Sequence, residues 1–126
     1  MHVEFVLDDV RLIVRVTVSG PFDPEGIVAL LERQLEERAW GYGVLFDMRT
    51  VDVQPTSADL TRISSTIASM GGDVKRGPAA LVVREGEQYA RACAYLALGV
   101  RRGREIDVFR HADEAEEWLR ERLGTT

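Results

Sequence analysis

The sequence predicts an α/β fold, with one domain over residues 1–126 and a mostly parallel five-stranded sheet that begins with an antiparallel hairpin. The length of 126 residues suits one domain, and 45% of the residues are hydrophobic, which is ordinary for a chain that folds around a core. Short apolar runs alternate with stretches whose apolar residues recur at helical spacing. This alternation gives the element order ββαβαβαβα, with four helices and connections too short for a second domain.

The first two strands are predicted to form the antiparallel hairpin. Val3–Leu7 is a short apolar run, and Asp8 and Asp9 follow it as a turn signal. Arg11–Val18 then alternates charged and apolar residues, as a half-buried strand does. We expect Ser19–Pro21 to end this second strand, because glycine and proline interrupt regular pairing.

The first helix is expected to begin after Asp23, which can cap it, with Pro24 at the first helical position and Glu25 in the first turn. Apolar residues at helical spacing carry this helix to an end near Arg38. The run that follows, Gly43–Met48, is mostly apolar and predicts a central buried strand.

The second helix should start at Thr56 or Ser57, after a connection over Val51–Pro55. Either hydroxyl can cap a helix, and Asp59 lies three residues after Thr56, at the spacing of a capping box. The glycine pair at 71 and 72 is expected to end this helix.

The third helix is predicted over residues 87–98, after a buried strand over Pro78–Val83. Its small residues Ala90, Ala94 and Ala97 would allow the helix to lie close to the sheet. Gly99 is expected to end it.

A last strand over Ile106–Phe109 and a last helix over Asp113–Leu123 complete the predicted fold. Trp118 and Leu119 fall on the apolar face of that helix, so we expect both to be buried against the sheet. Trp40 follows the first helix beside a glycine, and we expect it to be half exposed.

Charged residues follow the predicted parallel strands on successive loops. Because the carboxyl ends of parallel strands meet at one edge, and ligands of open α/β sheets usually bind there, these residues predict a binding site for an anion or an acidic partner. The candidate residues are Asp47, Arg49, Asp52, Arg84 and Arg110. The alternative is a rim of surface ion pairs in which nearby carboxylates neutralise the arginines.

The opposite edge of the predicted sheet gathers a second set of basic residues. This set consists of Lys75, Arg76, Arg101, Arg102 and Arg104. It could contact an acidic protein surface, or it could be a group of solvated loop residues.

Composition excludes several classes of function. The net charge of −5 argues against nucleic acid and anionic membranes as partners. The single cysteine, Cys93, cannot form an internal disulfide, and no apolar run reaches the ~20 residues of a membrane span, so we expect a cytoplasmic protein. Cys93 lies on the apolar side of a helix and is interpreted as a small core residue.

The sequence contains no recognisable catalytic, metal or cofactor motif. The two histidines, His2 and His111, have no partners at ligand spacing, and there is no phosphate-binding glycine loop or nucleophile elbow. We therefore expect no enzymatic activity, no metal and no cofactor.

Two stretches resemble the SpoIIAA-like, or STAS-like, family. They are Gly43–Asp52, running on to Asp59, and Val108–Phe109 together with Glu114, Ala115, Trp118 and Leu119. This fold is shared by anti-sigma factor antagonists and, more distantly, by CRAL-TRIO lipid carriers. The resemblance implies a non-catalytic regulatory module that acts through a protein partner or by forming a homodimer.

The resemblance also implies candidate phosphoacceptors and an alternative function. Antagonists of the sigma-regulatory type carry a phosphorylatable Ser or Thr where Thr56 and Ser57 stand; plain helix capping is the other interpretation of both residues. The likeness to CRAL-TRIO proteins implies, as the alternative, a carrier of a small apolar or amphipathic ligand. A carrier needs an apolar cavity of a few hundred Å³, and the predicted helices use their apolar faces on the sheet, which favours the regulatory module.

Overall fold

The computed structural model describes residues 1–101 and 105–124 and, of residues 98–101, the backbone only. Within these ranges the predicted order ββαβαβαβα is confirmed. The elements are β1 (His2–Asp8), β2 (Ile13–Pro21), α1 (Pro24–Glu36), β3 (Gly43–Val53), α2 (Ser57–Ser69), β4 (Ala79–Val82), α3 (Glu87–Arg101), β5 (Ile106–Phe109) and α4 (Ala112–Leu123).

The five strands lie in the sheet in the order of the sequence, β1-β2-β3-β4-β5. β1 pairs antiparallel with β2, and the remaining neighbours pair in parallel. Because each crossover connects adjacent parallel strands with the same hand, α1, α2 and α3 fall on one face of the sheet. α4 returns across the other face, where it packs on β3, β4 and β5.

Each face of the sheet therefore has its own core. On one face, alternate residues of β2 and β3 pack with the apolar faces of α1 and α2; the central members are Val14, Val16, Val18, Val44, Ile27, Leu31, Ile63 and Ile67. On the other face α4 covers the opposite set of strand residues. This second core consists of Ile13, Leu45, Ala80, Val82, Ala115 and Leu119.

β2 and β3 are longer than the sequence predicted. β2 continues through Ser19–Pro21, and β3 runs on from Met48 to Val53. The predicted stop was wrong because the two strands pair over this stretch, and a shift of register beside Gly20, whose φ is +80°, absorbs the irregularity. The Thr50 hydroxyl adds a hydrogen bond to the Val18 carbonyl at 3.0 Å.

Helix ends differ from the predictions by a few residues. α1 ends at Glu36 because Arg38 has a φ of +58°, which takes the chain out of the helix. α3 continues past Gly99 to Arg101. α4 begins at Ala112, so Asp113 lies in its first turn and is not its cap.

Trp40 is buried, with 4% of its surface exposed, and the expected half-exposed position was wrong. Its indole packs against Gly71, where an added Cβ would lie 2.3 Å from the indole nitrogen. Gly71 also has a φ of +83°, so both space and backbone conformation require glycine there. The connection after α2 thus closes over the end of the first core.

Candidate functional site

At the carboxyl edge of the sheet, β2 and β3 project beyond their neighbour. The last β3–β4 pair joins Asp47 to Val82, so residues 48–53 pair only with the end of β2 at residues 19–21. We call these two strand ends, residues 19–21 and 48–53, the lip. Asp52 and Val53 are exposed on it, Val53 to 59%.

Asp47 and Arg49 form a two-bond ion pair at the base of the lip. Arg49 donates from Nε and Nη2 to the two carboxylate oxygens at 3.1 and 2.8 Å, and its backbone N–H donates to Oδ1 at 3.0 Å. Burial alone would raise the pKa of Asp47, but the hydrogen bonds from Arg49 outweigh it and hold the pKa below its usual value. The Asp47 carboxylate is thus charged and already occupied.

Arg84 and Arg110 also have internal partners. Nη1 of Arg84 donates to the backbone carbonyls of Arg49 and Val51, the latter at 3.0 Å, which ties the loop after β4 to the lip. Nε of Arg110 lies 2.6 Å from the carboxylate of Glu85, and its guanidinium stacks 4.3 Å above the ring of Tyr89. The structure brings Arg49 and Arg84 together, whereas Arg110 belongs to a separate pair beyond β5.

Thr56 and Ser57 lie next to the lip, at the start of α2. Thr56 is the cap: its hydroxyl accepts from the Asp59 N–H at 3.1 Å, and the Asp59 carboxylate accepts from the Thr56 N–H at 3.0 Å. Ser57 is the first helical residue and is exposed. The Ser57 side chain is therefore accessible, whereas the Thr56 hydroxyl is engaged in the cap.

Gln88 of α3 connects the loop after β4 to the lip and to Gln54, a role that was not predicted from the sequence. It is 5% exposed, and its amide nitrogen donates to the Met48 carbonyl at 2.7 Å and to the side chain of Gln54 at 3.1 Å. Its amide oxygen accepts from the Arg84 N–H at 2.6 Å. A glutamine in a first helical turn usually faces solvent, so no pattern in the sequence indicates this role.

An apolar cleft lies between the sheet and the helices α2 and α3. The space that the centre of a water molecule can occupy in this cleft is about 90 Å³. The floor is formed by Phe46, Leu81 and Ile106, one from each of β3, β4 and β5. The volume is smaller than the few hundred Å³ expected of a carrier that encloses its ligand.

α3 faces the sheet with a different side from the one predicted. Ala90, Ala94 and Ala97 are exposed, and Ala92 and Tyr95 line the cleft instead. The expected close packing of the alanines on the sheet was wrong, because Gln88 fixes the rotation of the helix and places residues four and seven positions later inward.

Comparison with known proteins identifies the fold. Neither a protein-family model nor a curated protein sequence matches the chain. Among solved structures, an anti-sigma factor antagonist from Mycobacterium paratuberculosis superposes with a TM-score of 0.61 and 20% sequence identity, covering 94% of this chain and 95% of that chain. The chain has the SpoIIAA-like, or STAS-like, fold. The resemblance inferred from the sequence is confirmed at the level of fold.

Away from the carboxyl edge, the described residues offer less for a binding site. Of the basic set at the opposite edge, Lys75 is exposed and Arg76 stacks on Trp40 at 5.0 Å. The prediction for the side chain of Arg101 and for Arg102 and Arg104 falls outside the described residues.

Three further observations concern metal ligands, the helices and the cysteine. In the part of the chain that the structure describes, no group of three or more His, Cys, Asp or Glu side chains is placed to hold a metal ion. Among the described helices, none is both long enough and apolar enough to cross a membrane. Cys93 is half-buried on α3, so it lies at the margin of the core and not inside it.

Proposed function

We propose that this STAS-like domain is a non-catalytic regulatory module that binds a protein partner, or a second copy of itself, through its carboxyl edge. The structural neighbour is by name an antagonist of an anti-sigma factor, and such a role requires recognition of another protein. The observation that carries the proposal is the lip, which projects beyond β4 and presents exposed polar and apolar side chains beside the start of α2.

The chemistry of the lip suits a protein surface better than a small anion. A phosphate or carboxylate would have to compete with Asp47 for Arg49 and with two carbonyls for Arg84. A protein partner needs no free arginine, because it can bury Val53 and exchange polar contacts with Asp52 around it. The charges at the rim would then govern specificity and the rate of association more than affinity.

We further propose that Ser57, and not Thr56, is the residue at which phosphorylation would control this surface. A phosphate on Thr56 would lie inside the capping box, where the Asp59 carboxylate that accepts from the Thr56 N–H would repel it. A phosphate on Ser57 would leave the capping box in place and add about two negative charges beside the lip. Partners that approach Asp52 and Val53 would meet that charge directly.

Site-specific photo-crosslinking in the native cell tests the proposed surface. A photo-reactive amino acid in place of Val53 is expected to capture one defined protein, or a second copy of the chain, identified by mass spectrometry. The matched control replaces Val10, which is 87% exposed in the turn between β1 and β2, away from the lip. Val53→Asp should then weaken binding of the purified partner at least tenfold, with the far-ultraviolet circular dichroism unchanged. Equal capture from both positions, or a partner that binds Val53→Asp normally, would contradict the proposal.

A further inference from the structure

One edge of the sheet is formed by β1, a strand of seven residues. In the described part of the chain β1 pairs with β2 alone, so every second backbone N–H and C=O of His2–Asp8 points away from the sheet. The strand at the other edge, β5, has only four residues. Because a long free edge offers more unpaired backbone groups than a short one, β1 is the edge at which a further strand can extend the sheet.

The β1 edge lacks most of the features that protect free edges from pairing. Edge strands are commonly interrupted by proline, by lysine or by a bulge. β1 contains no proline or lysine, and its seven residues pair with β2 in an unbroken register. Its two carboxylates, Glu4 and Asp8, lie on the same face because they are an even number of residues apart. These charges therefore restrict the register of a further strand but do not block its backbone.

The two faces of β1 differ in polarity. On one face, three apolar side chains are partly buried and pack against the first core, namely Val3, Phe5 and Leu7. On the other face, β1 lies beyond the strands on which α4 packs, and its exposed side chains are His2, Glu4 and Val6. A strand added to this edge would continue the apolar row on the first face and meet polar and charged side chains on the second.

A second copy of β1 is complementary to this edge when the axis between them lies at Phe5. Two copies related by a two-fold axis perpendicular to the sheet pair antiparallel, and the residues that oppose each other then lie on the same face. With the axis at Phe5, all seven residues of both strands are paired. The resulting pairs are Val3–Leu7 and Phe5–Phe5 on the apolar face, and Glu4–Val6 and His2–Asp8 on the other. Aromatic and apolar pairs of this kind stabilise neighbouring strands.

Charge disfavours the two neighbouring registers that keep the faces aligned. An axis at Glu4 would set the two Glu4 carboxylates against each other, and an axis at Val6 would set Glu4 against Asp8 twice. Like charges directly opposite each other in a sheet are destabilising. The axis at Phe5 creates no like-charged pair and pairs more residues than either alternative.

We propose that β1 is a docking surface for a second copy of this chain, whose β1 pairs with it antiparallel across a two-fold axis at Phe5. The two five-stranded sheets then form one continuous sheet. Because the axis reverses the direction of the strands, the lips of the two copies point to opposite ends of the dimer. β1 is not part of the lip, so this dimer neither requires nor replaces the binding of a partner there.

Sedimentation equilibrium of the purified protein tests the association. The native protein should form a reversible dimer between about 10 μM and 1 mM, because an interface built mainly from backbone pairing is small. A chain that stays monomeric up to about 1 mM would overturn the proposal.

Charges introduced at Val6 test which residues oppose each other. Val6→Glu places a carboxylate opposite Glu4 of the second copy on both sides of the axis and should weaken the dimer about tenfold or more. Val6→Lys places a cation there and should dimerise at least as strongly as the native protein. Within one chain, position 6 pairs with Arg15, so Val6→Glu gains a favourable neighbour and should remain folded, as circular dichroism can verify.

A matched control separates this effect from net charge. Val74 is 58% exposed, against 56% for Val6, and lies in the connection between α2 and β4. Val74→Glu should change the dissociation constant of the dimer by less than about twofold, since exposed charges far apart are screened. If Val6→Glu and Val6→Lys weakened the dimer equally, or if Val74→Glu weakened it as much as Val6→Glu, the assigned pairing would be refuted.

Intermolecular disulfides locate the axis independently. In a Cys93→Ala background, which removes the single native cysteine, a mixture of Glu4→Cys and Val6→Cys should cross-link on mild oxidation. Opposing residues have Cα atoms about 4.5–5.5 Å apart, within the range of a disulfide. Either variant alone should give little product in the same time, because its two cysteines lie diagonally across the axis, about 8 Å apart. Equal product from the mixture and from the single variants, on non-reducing gels, would refute the axis at Phe5.

Discussion

Trp118 and Leu119 are neighbours on α4, yet they lie in different environments. Leu119 is fully buried in the second core, whereas Trp118 is half-buried at its margin. Its ring centroid lies 5.8 Å from that of Phe109, and the Arg122 guanidinium stacks 5.2 Å from it. Helical periodicity placed both residues on the apolar face, but it could not tell that β5, at the edge of the sheet, covers only one side of the indole.

This difference predicts unequal effects of truncation. Leu119→Ala should lower the free energy of unfolding by ~2–5 kcal/mol, because it removes a fully buried side chain. Trp118→Ala should cost only ~1–3 kcal/mol, since part of the ring already contacts water. Urea unfolding of both variants measures the values. A Trp118→Ala loss greater than that of Leu119→Ala would mean that the indole, and not the leucine, is the main contact of α4.

Thr56 and Ser57, at the start of α2, also differ in what their side chains contribute. Thr56→Ala removes the acceptor for the Asp59 N–H and should cost ~0.5–2 kcal/mol. Ser57→Ala removes an exposed hydroxyl and should change stability by less than ~0.5 kcal/mol. Thermal unfolding of the two variants provides the comparison. If Ser57→Ala were the more damaging change, the cap would be assigned to the wrong residue.

The helices and strands show which patterns in the sequence were sufficient to predict the positions of the elements. Caps and periodicity located every element, because Asp23 with Pro24 and Thr56 with Asp59 are local patterns that need no tertiary information. The length of β3 could not be read in this way, since residues 48–53 are held in a strand by pairing with β2. The rotation of α3 was also hidden, because it depends on the distant partners of Gln88.

The same reasoning applies to the candidate site. The charged residues of the carboxyl edge were predicted from the order of elements, which fixes the loops on which they lie. The partners of these charged residues were not predicted. Whether Arg84 contacts an external anion or the carbonyls of the lip depends on how far β3 extends. The sequence alone therefore predicts the location of such a surface better than its chemistry.

At the level of elements, a chain of ion pairs joins the hairpin to α4. Asp8 accepts from Arg15 at 2.9 Å and from Arg11, and Arg15 also pairs with Glu116 of α4. The backbone N–H of Arg11, and next the side chain of Arg15, lower the pKa of Asp8 well below its usual value. The network connects β1 and β2 to α4, which packs on β3, β4 and β5.

The contribution of these ion pairs to the free energy of unfolding should fall only as the pH becomes acidic. Because the pKa of Asp8 is lower in the folded state than in the unfolded state, the stabilisation is fully present above about pH 4 and is lost as the pH falls through the folded pKa. Asp8→Asn should therefore flatten the fall in unfolding free energy below about pH 4 and leave its slope near pH 7 unchanged. Urea unfolding at several pH values measures both slopes. An unchanged acid slope in the variant would mean that Asp8 does not contribute to the pH dependence of stability.

At the scale of the whole molecule, two cores share one sheet. β4 contributes Ala80 and Val82 to the face under α4, and Ala79 and Leu81 to the face under the other helices. Neither face can lose its helices without exposing strands that the other face needs. We therefore expect residues 1–126 to behave as a single cooperative domain.

A pair of truncations, one in each core, tests this expectation. Ile63→Ala on α2 and Leu119→Ala on α4 should each lower the free energy of unfolding by ~2–5 kcal/mol, because both side chains are buried. The two sites lie on opposite faces of the sheet and share no contact, so the double variant should show the sum within about 0.5 kcal/mol. Both single variants should still unfold in one transition when followed by circular dichroism and by tryptophan fluorescence. Two separate transitions would instead mean that the face under α4 unfolds independently of the face under α1 and α2, and the single-domain interpretation would then be wrong.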